Sequence, residues 1–213
     1  MTEPLEERVE SVVRPVEAEE PQPRIDEPEP QRVEESEAAR AEVPAEAAEH
    51  APGRFEVPAG YQVLTGSSDG ERRSVGVVVA KFNGEITSRL LERALEELEA
   101  AGVPREAVTI VPVPGAFELP LAAMALAKTR RYACIVALGC VVRGETPHFD
   151  FVAGEAASGL QLAAIETGVP VAFGVLTTDT IEQAEARIDR AGDIVRGALE
   201  MADVFQQLRA AAR

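Results

Sequence analysis

Tyr132-Ala-Cys-Ile-Val-Ala-Leu-Gly-Cys-Val-Val142, followed at once by Arg143-Gly-Glu-Thr-Pro-His-Phe-Asp150, decides the fold class. The first part is an unbroken apolar run rich in β-branched residues, which is how a strand buried on both faces reads. The second part is a tight loop shaped by a glycine and a proline, with an arginine, a threonine and a histidine at its rim. In an open α/β sheet, ligands sit just outside the carboxyl ends of the strands. The loop therefore falls where an anion can be bound and protons moved, because imidazole has an ordinary pKa of ~6.5.

The same alternation extends in both directions. Residues 74–80 form a short β-branched run, followed by Asn83-Gly84 and a helix through Ala101 on which Ile86, Leu90, Ala94, Leu95 and Leu98 share one face. Gly102 stops that helix, with Pro104 just beyond. A second run at 107–113 leads into Pro114-Gly-Ala-Phe-Glu-Leu-Pro120 and an Ala- and Leu-rich helix to about Lys128. After the central loop comes a helix from about 151 to 166, ended by Gly168-Val-Pro170, and then a fourth run at 171–177. Thr180-Ile-Glu-Gln183 reads as a capping box, 188–192 as a break, and Ile194, Ala198, Ala202, Phe205 and Leu208 mark a last helix. The pattern predicts an α/β protein: a three-layer α/β/α sandwich around a four-stranded parallel, flavodoxin-like sheet, spanning residues 59–213.

Residues 1–58 differ in kind. They carry nine of the fifteen prolines and almost no aromatics, and up to Glu56 there are 17 acidic against 6 basic residues, a balance of −11 within a chain total of −16. Such a segment cannot bury enough apolar surface to offset its ordering entropy, so it is expected to be a disordered acidic tail. The acidity argues against a nucleic-acid partner. The N-terminus shows no secretory signal, and no apolar run approaches the roughly 20 residues of a membrane span, so no membrane association is expected and the location is read as cytoplasmic. Cys134 and Cys140 lie an even number of residues apart on one strand, share a face, and read as core thiols. The two histidines, at 50 and 148, supply no zinc ligand set, so no metal is expected.

Three loops follow three strands, and each carries residues that packing does not account for. Phe82 after the first strand can stack on a planar ring, with Asn83 capping the helix or bonding a ligand. After the second, Gly115-Ala-Phe-Glu118 opens a helix whose amides face the same crevice, with Glu118 in its first turn. After the third, Gly144-Glu-Thr146 can cradle a phosphate ahead of His148 and a helix N-terminus. Arg187 is the candidate counter-charge, and Phe173, inside the fourth strand, reads by itself as core.

Lys81-Phe-Asn83, Gly115-Ala-Phe-Glu-Leu-Pro120, Ala137-Leu-Gly-Cys-Val-Val-Arg-Gly-Glu-Thr-Pro-His-Phe-Asp150, Phe173-Gly-Val-Leu-Thr-Thr178, Gln183 and Arg187 occur in order at characteristic spacing. From about Gly60 onward the chain resembles the 6,7-dimethyl-8-ribityllumazine synthase family of riboflavin biosynthesis. The resemblance implies condensation of 5-amino-6-(D-ribitylamino)uracil with 3,4-dihydroxy-2-butanone 4-phosphate, releasing phosphate and water, with no cofactor or metal. It implies that Phe82 stacks on the pyrimidine, that Ala116, Phe117 and Glu118 hold the ribityl chain, and that Cys140, Val141 and Val142 contact the ring through their backbone. It further implies that Glu145 and Thr146 take the butanone phosphate, that Arg187 neutralises it, and that His148 shuttles protons. Phe173 would come from a neighbouring subunit, closing a site between protomers of a pentamer or a multiple of it, up to an icosahedral shell. Residues 61–65 resemble the strand that adds to a neighbour's sheet edge. After Arg187 the chain reads Ile188-Asp-Arg-Ala-Gly-Asp-Ile-Val-Arg-Gly197 in place of the family's Lys-Gly loop, with Arg196-Gly197 as counterpart.

Two rival functions share this fold: a flavodoxin-like module that binds a flavin or nucleotide without catalysis, and a shell-forming scaffold whose tail recruits partners. Against the first, the loop after strand one offers Phe-Asn-Gly rather than a Ser/Thr-rich phosphate loop.

Overall fold

The computed structural model describes residues 55–212, so the expectation for the acidic tail lies, except for its last four residues, outside the described residues. The elements alternate as expected: β1 (Val75–Ala80), α1 (Gly84–Ala100), β2 (Val108–Val113), α2 (Leu119–Lys128), β3 (Cys134–Val142), α3 (His148–Thr167), β4 (Val171–Thr178), α4 (Ile181–Glu185) and α5 (Arg190–Ala211). The four strands form one parallel sheet in the order β2-β1-β3-β4. The chain steps from β1 to one neighbour and then returns to the other side of it, so the strand order reverses at β1 and β3. The crevice outside their carboxyl ends is where such sheets bind ligands.

Strand alternation distributes the core to two faces. Val75, Val77, Val79, Cys134, Val136, Leu138 and Cys140 point to one side, where α1 and α5 contribute Leu90, Ala94, Leu98, Val195 and Leu199. Val78, Ala80, Ile135 and Ala137 point to the other, against Leu119, Ala123, Leu160 and Ala163 of α2 and α3. Every residue of β1 is buried, as a central parallel strand covered on both faces requires. The edge strands are less covered: Ile110 of β2 is 40% exposed and Phe173 of β4 is 44% exposed. Phe173 is thus not a core residue of its own chain. It stands over a surface groove with Pro170, Ile194, Gly197 and Met201.

Three local readings differ from the structure. The helix after the central loop begins at His148 rather than near 151, because Pro147, at φ −62°, already supplies the backbone angle of a helix entry and its carbonyl accepts from the Asp150 amide at 3.0 Å. His148 is therefore the first helical residue and not a loop residue. The break after Arg187 is shorter than expected: α5 starts at Arg190, with Ala191 of its first turn and Ile188 just before it both buried in the core. In the capping box, Thr180 accepts from the Gln183 amide at 3.3 Å as expected, but Gln183 reaches one residue further back, taking the Asp179 amide at 3.0 Å. Residues 61–65 are irregular and exposed, and 65–73 run along α5, with Gln207 donating to the Thr65 carbonyl and Arg73 paired with Asp203 at 2.6 Å.

Candidate active site

One cavity of about 420 Å³ opens at the carboxyl ends of β1, β2 and β3. Each of the three loops singled out from the sequence supplies part of its wall.

The first wall is the turn after β1. Sheet pairing continues past the strand, with the Lys81 amide on the Val113 carbonyl and the Phe82 amide on the Pro114 carbonyl. That leaves the Phe82 ring standing on the rim, 71% exposed. Asn83 adopts the left-handed conformation (φ 56°, ψ 46°) that asparagine tolerates better than most residues, and its carbonyl accepts from Ile86 and Thr87 to begin α1. Its side chain does not cap the helix; it donates to the Cys140 carbonyl at 2.9 Å, bracing the turn against the end of β3.

The second wall is the short 3-10 turn Ala116–Glu118 that precedes α2. Glu118 folds back so that one carboxylate oxygen accepts the Gly115 amide at 2.9 Å, which fixes the turn and holds the carboxylate at the cavity edge. Ala116 is buried beneath it while the Phe117 ring is more than half exposed.

The third wall is the end of β3 with the turn and helix start after it. Cys140, Val141 and Val142 extend beyond the part of β3 that pairs with β1, so their β1-side backbone borders the cavity while β4 pairs them on the other side. Both cysteines are buried thiols. Burial pushes the Cys134 thiol up to about 12 and raises that of Cys140, so neither is a nucleophile near neutrality. Gly144, Thr146, His148, Phe149 and Val152 complete the lining.

Ten of the residues selected from the sequence therefore meet here: Phe82, Asn83, Ala116, Phe117, Glu118, Cys140, Val141, Val142, Thr146 and His148. Glu145, Phe173 and Arg187 do not line the cavity. Phe173 is on the edge strand, and Arg187, in the turn just after α4, donates back to that helix through the Gln183 carbonyl at 2.8 Å. Arg196 is held by Glu97 at 2.6 Å and by Asp193. Gly115 and Gly144 of the candidate loops also line the cavity, and Pro114, Phe149 and Val152 line it without being site candidates from the sequence. Val152 had a usable signal, since a helix started at His148 places it one turn on, on the same face. Among the described residues no cluster of three or more His, Cys, Asp or Glu is placed to hold a metal, and no helix is long and apolar enough to cross a membrane.

Chemically the walls offer three phenylalanine rings, a fixed carboxylate, a hydroxyl, the amides at a helix start and an imidazole. That set suits a planar polar ring with a polyol arm beside a small anion.

Residues 72–206 match the family model described as 6,7-dimethyl-8-ribityllumazine synthase. A protein of that name from Desulfatibacillum aliphaticivorans is 42% identical over 156 residues, covering 70% of this chain and 99% of that protein. Another of the same name from Syntrophus aciditrophicus (strain SB) is 47% identical over 141 residues, covering 62% of this chain and 90% of that protein.

Proposed function

The chain belongs to the 6,7-dimethyl-8-ribityllumazine synthase family, and on that premise we propose how its own side chains divide the work. It acts in riboflavin biosynthesis, condensing 5-amino-6-(D-ribitylamino)uracil with 3,4-dihydroxy-2-butanone 4-phosphate to give 6,7-dimethyl-8-ribityllumazine, phosphate and water. The observation that supports the residue assignment is the convergence of three successive βα loops on one cavity.

In this reading the pyrimidine stacks on Phe82, with the exposed β3 backbone at Cys140, Val141 and Val142 beside its polar edge. The ribityl arm runs past Ala116 and Phe117 to Glu118, whose carboxylate is already oriented by Gly115. The butanone phosphate lies on the turn carrying Glu145 and Thr146, at the positive end of α3. The pyrimidine amine attacks the ketone and one water leaves to give an imine, phosphate is eliminated to leave an enol that becomes a carbonyl, and the second amine closes the ring on that carbonyl with loss of a second water. His148, first in α3, carries protons between these steps, and none of them needs a covalent enzyme nucleophile. Holding two substrates in reactive geometry supplies much of the rate. The reading involves neither metal nor cofactor.

Phe173 and Arg187 lie away from the cavity of their own protomer, and their place in this scheme is as contributions to the cavity of an adjacent copy, the ring covering the bound pyrimidine and the guanidinium facing its partner substrate. The assembly is a pentamer or a multiple of it, working in the cytoplasm. Its two half-covered sheet edges favour such closure. The direct test mixes both substrates with the protein and follows lumazine absorbance and fluorescence together with phosphate release. Stoichiometric release of lumazine and phosphate is expected; a bound yellow flavin with no turnover would replace this reading with a binding module.

A further inference from the structure

We propose that Arg143 is the positioning residue of this site: its guanidinium ties the first turn of α3 to the β4–α4 turn and so fixes where His148 stands over the cavity, an assignment that rests on the role given to His148 above. By its sequence Arg143 reads as an anion ligand offered at the rim of the loop. The structure uses it otherwise. Its Nε donates to Asp179 Oδ1 at 2.9 Å and its Nη1 to Asp150 Oδ1 at 3.3 Å, so both faces of the fork already meet carboxylates of the chain. The guanidinium carbon stands 4.1 Å from the centre of the Phe149 ring, in stacking range of a cation over an aromatic face. Its backbone amide continues the sheet by donating to the Thr178 carbonyl at 2.9 Å.

These contacts bracket the phosphate turn. Arg143 is the residue before it, while Phe149 and Asp150 are in the helix after it, so one side chain ties together the two ends of the four-residue segment from Gly144 to Pro147. Asp179 anchors the same side chain to β4, whose pairing with β3 is continuous to Thr178. His148 immediately precedes Phe149 and is exposed. Among the described residues none hydrogen-bonds its imidazole, so the direction of that ring is inherited from the backbone of the first turn of α3. Arg143 holds that turn in place. An arginine suits this best: its planar fork bonds Asp179 and Asp150 in fixed directions while stacking flat on Phe149, whereas a lysine ammonium is a point charge without that fixed geometry.

Each ion pair is exposed and worth little by itself to global stability, which separates a positioning role from a structural one. The test is a double-mutant cycle on the full chain with steady-state kinetics. R143Q is expected to lower kcat about ten-fold, since sub-ångström to ångström misplacement of a catalytic group has costs of this order. Its KM for the pyrimidine should stay within about two-fold, because Phe82 and Glu118 are on other loops. R143K should recover only part of kcat. In an H148A background, R143Q should cause no further loss, because the group being positioned is gone. Losses that multiply in the double variant, or a wild-type kcat for R143Q, would overturn the proposal while leaving His148 in place. A wild-type kcat for H148A would instead remove His148 from the mechanism and this assignment with it. Should R143Q fail to fold, the cycle run with R143K against H148A decides the matter by the same criterion.

Discussion

The side-chain amide of Asn83 donates to the carbonyl of Cys140 at 2.9 Å, joining the turn after β1 to the end of β3 across 57 residues of sequence. The bond sets the distance between the wall that carries Phe82 and the strand end that borders the cavity. It also explains why a residue with a left-handed backbone here is not a glycine: the position needs both the conformation and the donor.

Asn83→Ala is expected to destabilise the protein by about 1–3 kcal/mol, because it leaves a partly buried carbonyl without its donor and strains the backbone. Asn83→Gly relieves the strain alone, so it should recover part of the stability but not the pyrimidine KM. Urea unfolding and KM measured on both variants check this. An alanine variant with unchanged midpoint and KM would show that the brace does nothing.

His148→Ala should lower turnover at least several-fold with an unchanged unfolding midpoint, since the side chain is exposed and makes no contribution to the core. Residual activity is expected because orientation of the two substrates survives. Steady-state rates across pH 6–9, compared with wild type, give the answer.

Phe173→Ala should leave the stability of an isolated protomer nearly unchanged, because the ring is 44% exposed on its own chain, while reducing turnover through the role proposed for it at a neighbour's ligand. Light scattering is the companion measurement. A monomer at micromolar concentration with full activity would exclude a shared site.

Cys134 gives a pH dependence with a definite sign. Burial raises its thiol to about 12 in the folded protein, whereas in the unfolded chain it ionises near ~8.5. The stability this group contributes is therefore fully present below about pH 8.5 and is lost as pH rises toward 12. Wild-type stability should fall over that interval by up to about 1.4 kcal/mol per pH unit more steeply than that of Cys134→Ala. Chemical denaturation at pH 8, 9.5 and 10.5 measures the two slopes; parallel curves would mean the thiol is not shielded.

Much of the scaffold is legible in the sequence because burial is periodic. The four apolar runs are four strands, and of Ile86, Leu90, Ala94, Leu95 and Leu98, placed on one face by their spacing, all are buried in α1 except Leu95, which is half-buried against the same core. Sheet order is not legible, since pairing of Val75 with both Val108 and Cys134 is a long-range choice that no local pattern encodes. The start of α3 escapes the pattern for a local reason: Pro147 reads as a loop former, although proline also opens helices. The site residues selected from three loops converge, while Phe149 and Val152 are hidden by that same boundary. The Asp179 partner of Arg143 is not legible either, because it is 36 residues away in sequence and near only in the folded sheet, whereas Phe149 and Asp150 lie in the same motif.

Because every strand pair is parallel, each must be joined through an intervening helix, and no pair can zip up from a short hairpin turn. The central β1, synthesised first among the described strands, waits for β2 and then β3 before both its edges are paired. Refolding should thus be slow for a domain of this size, with the nascent β1 surface a target for chaperones until Cys134 and its neighbours emerge.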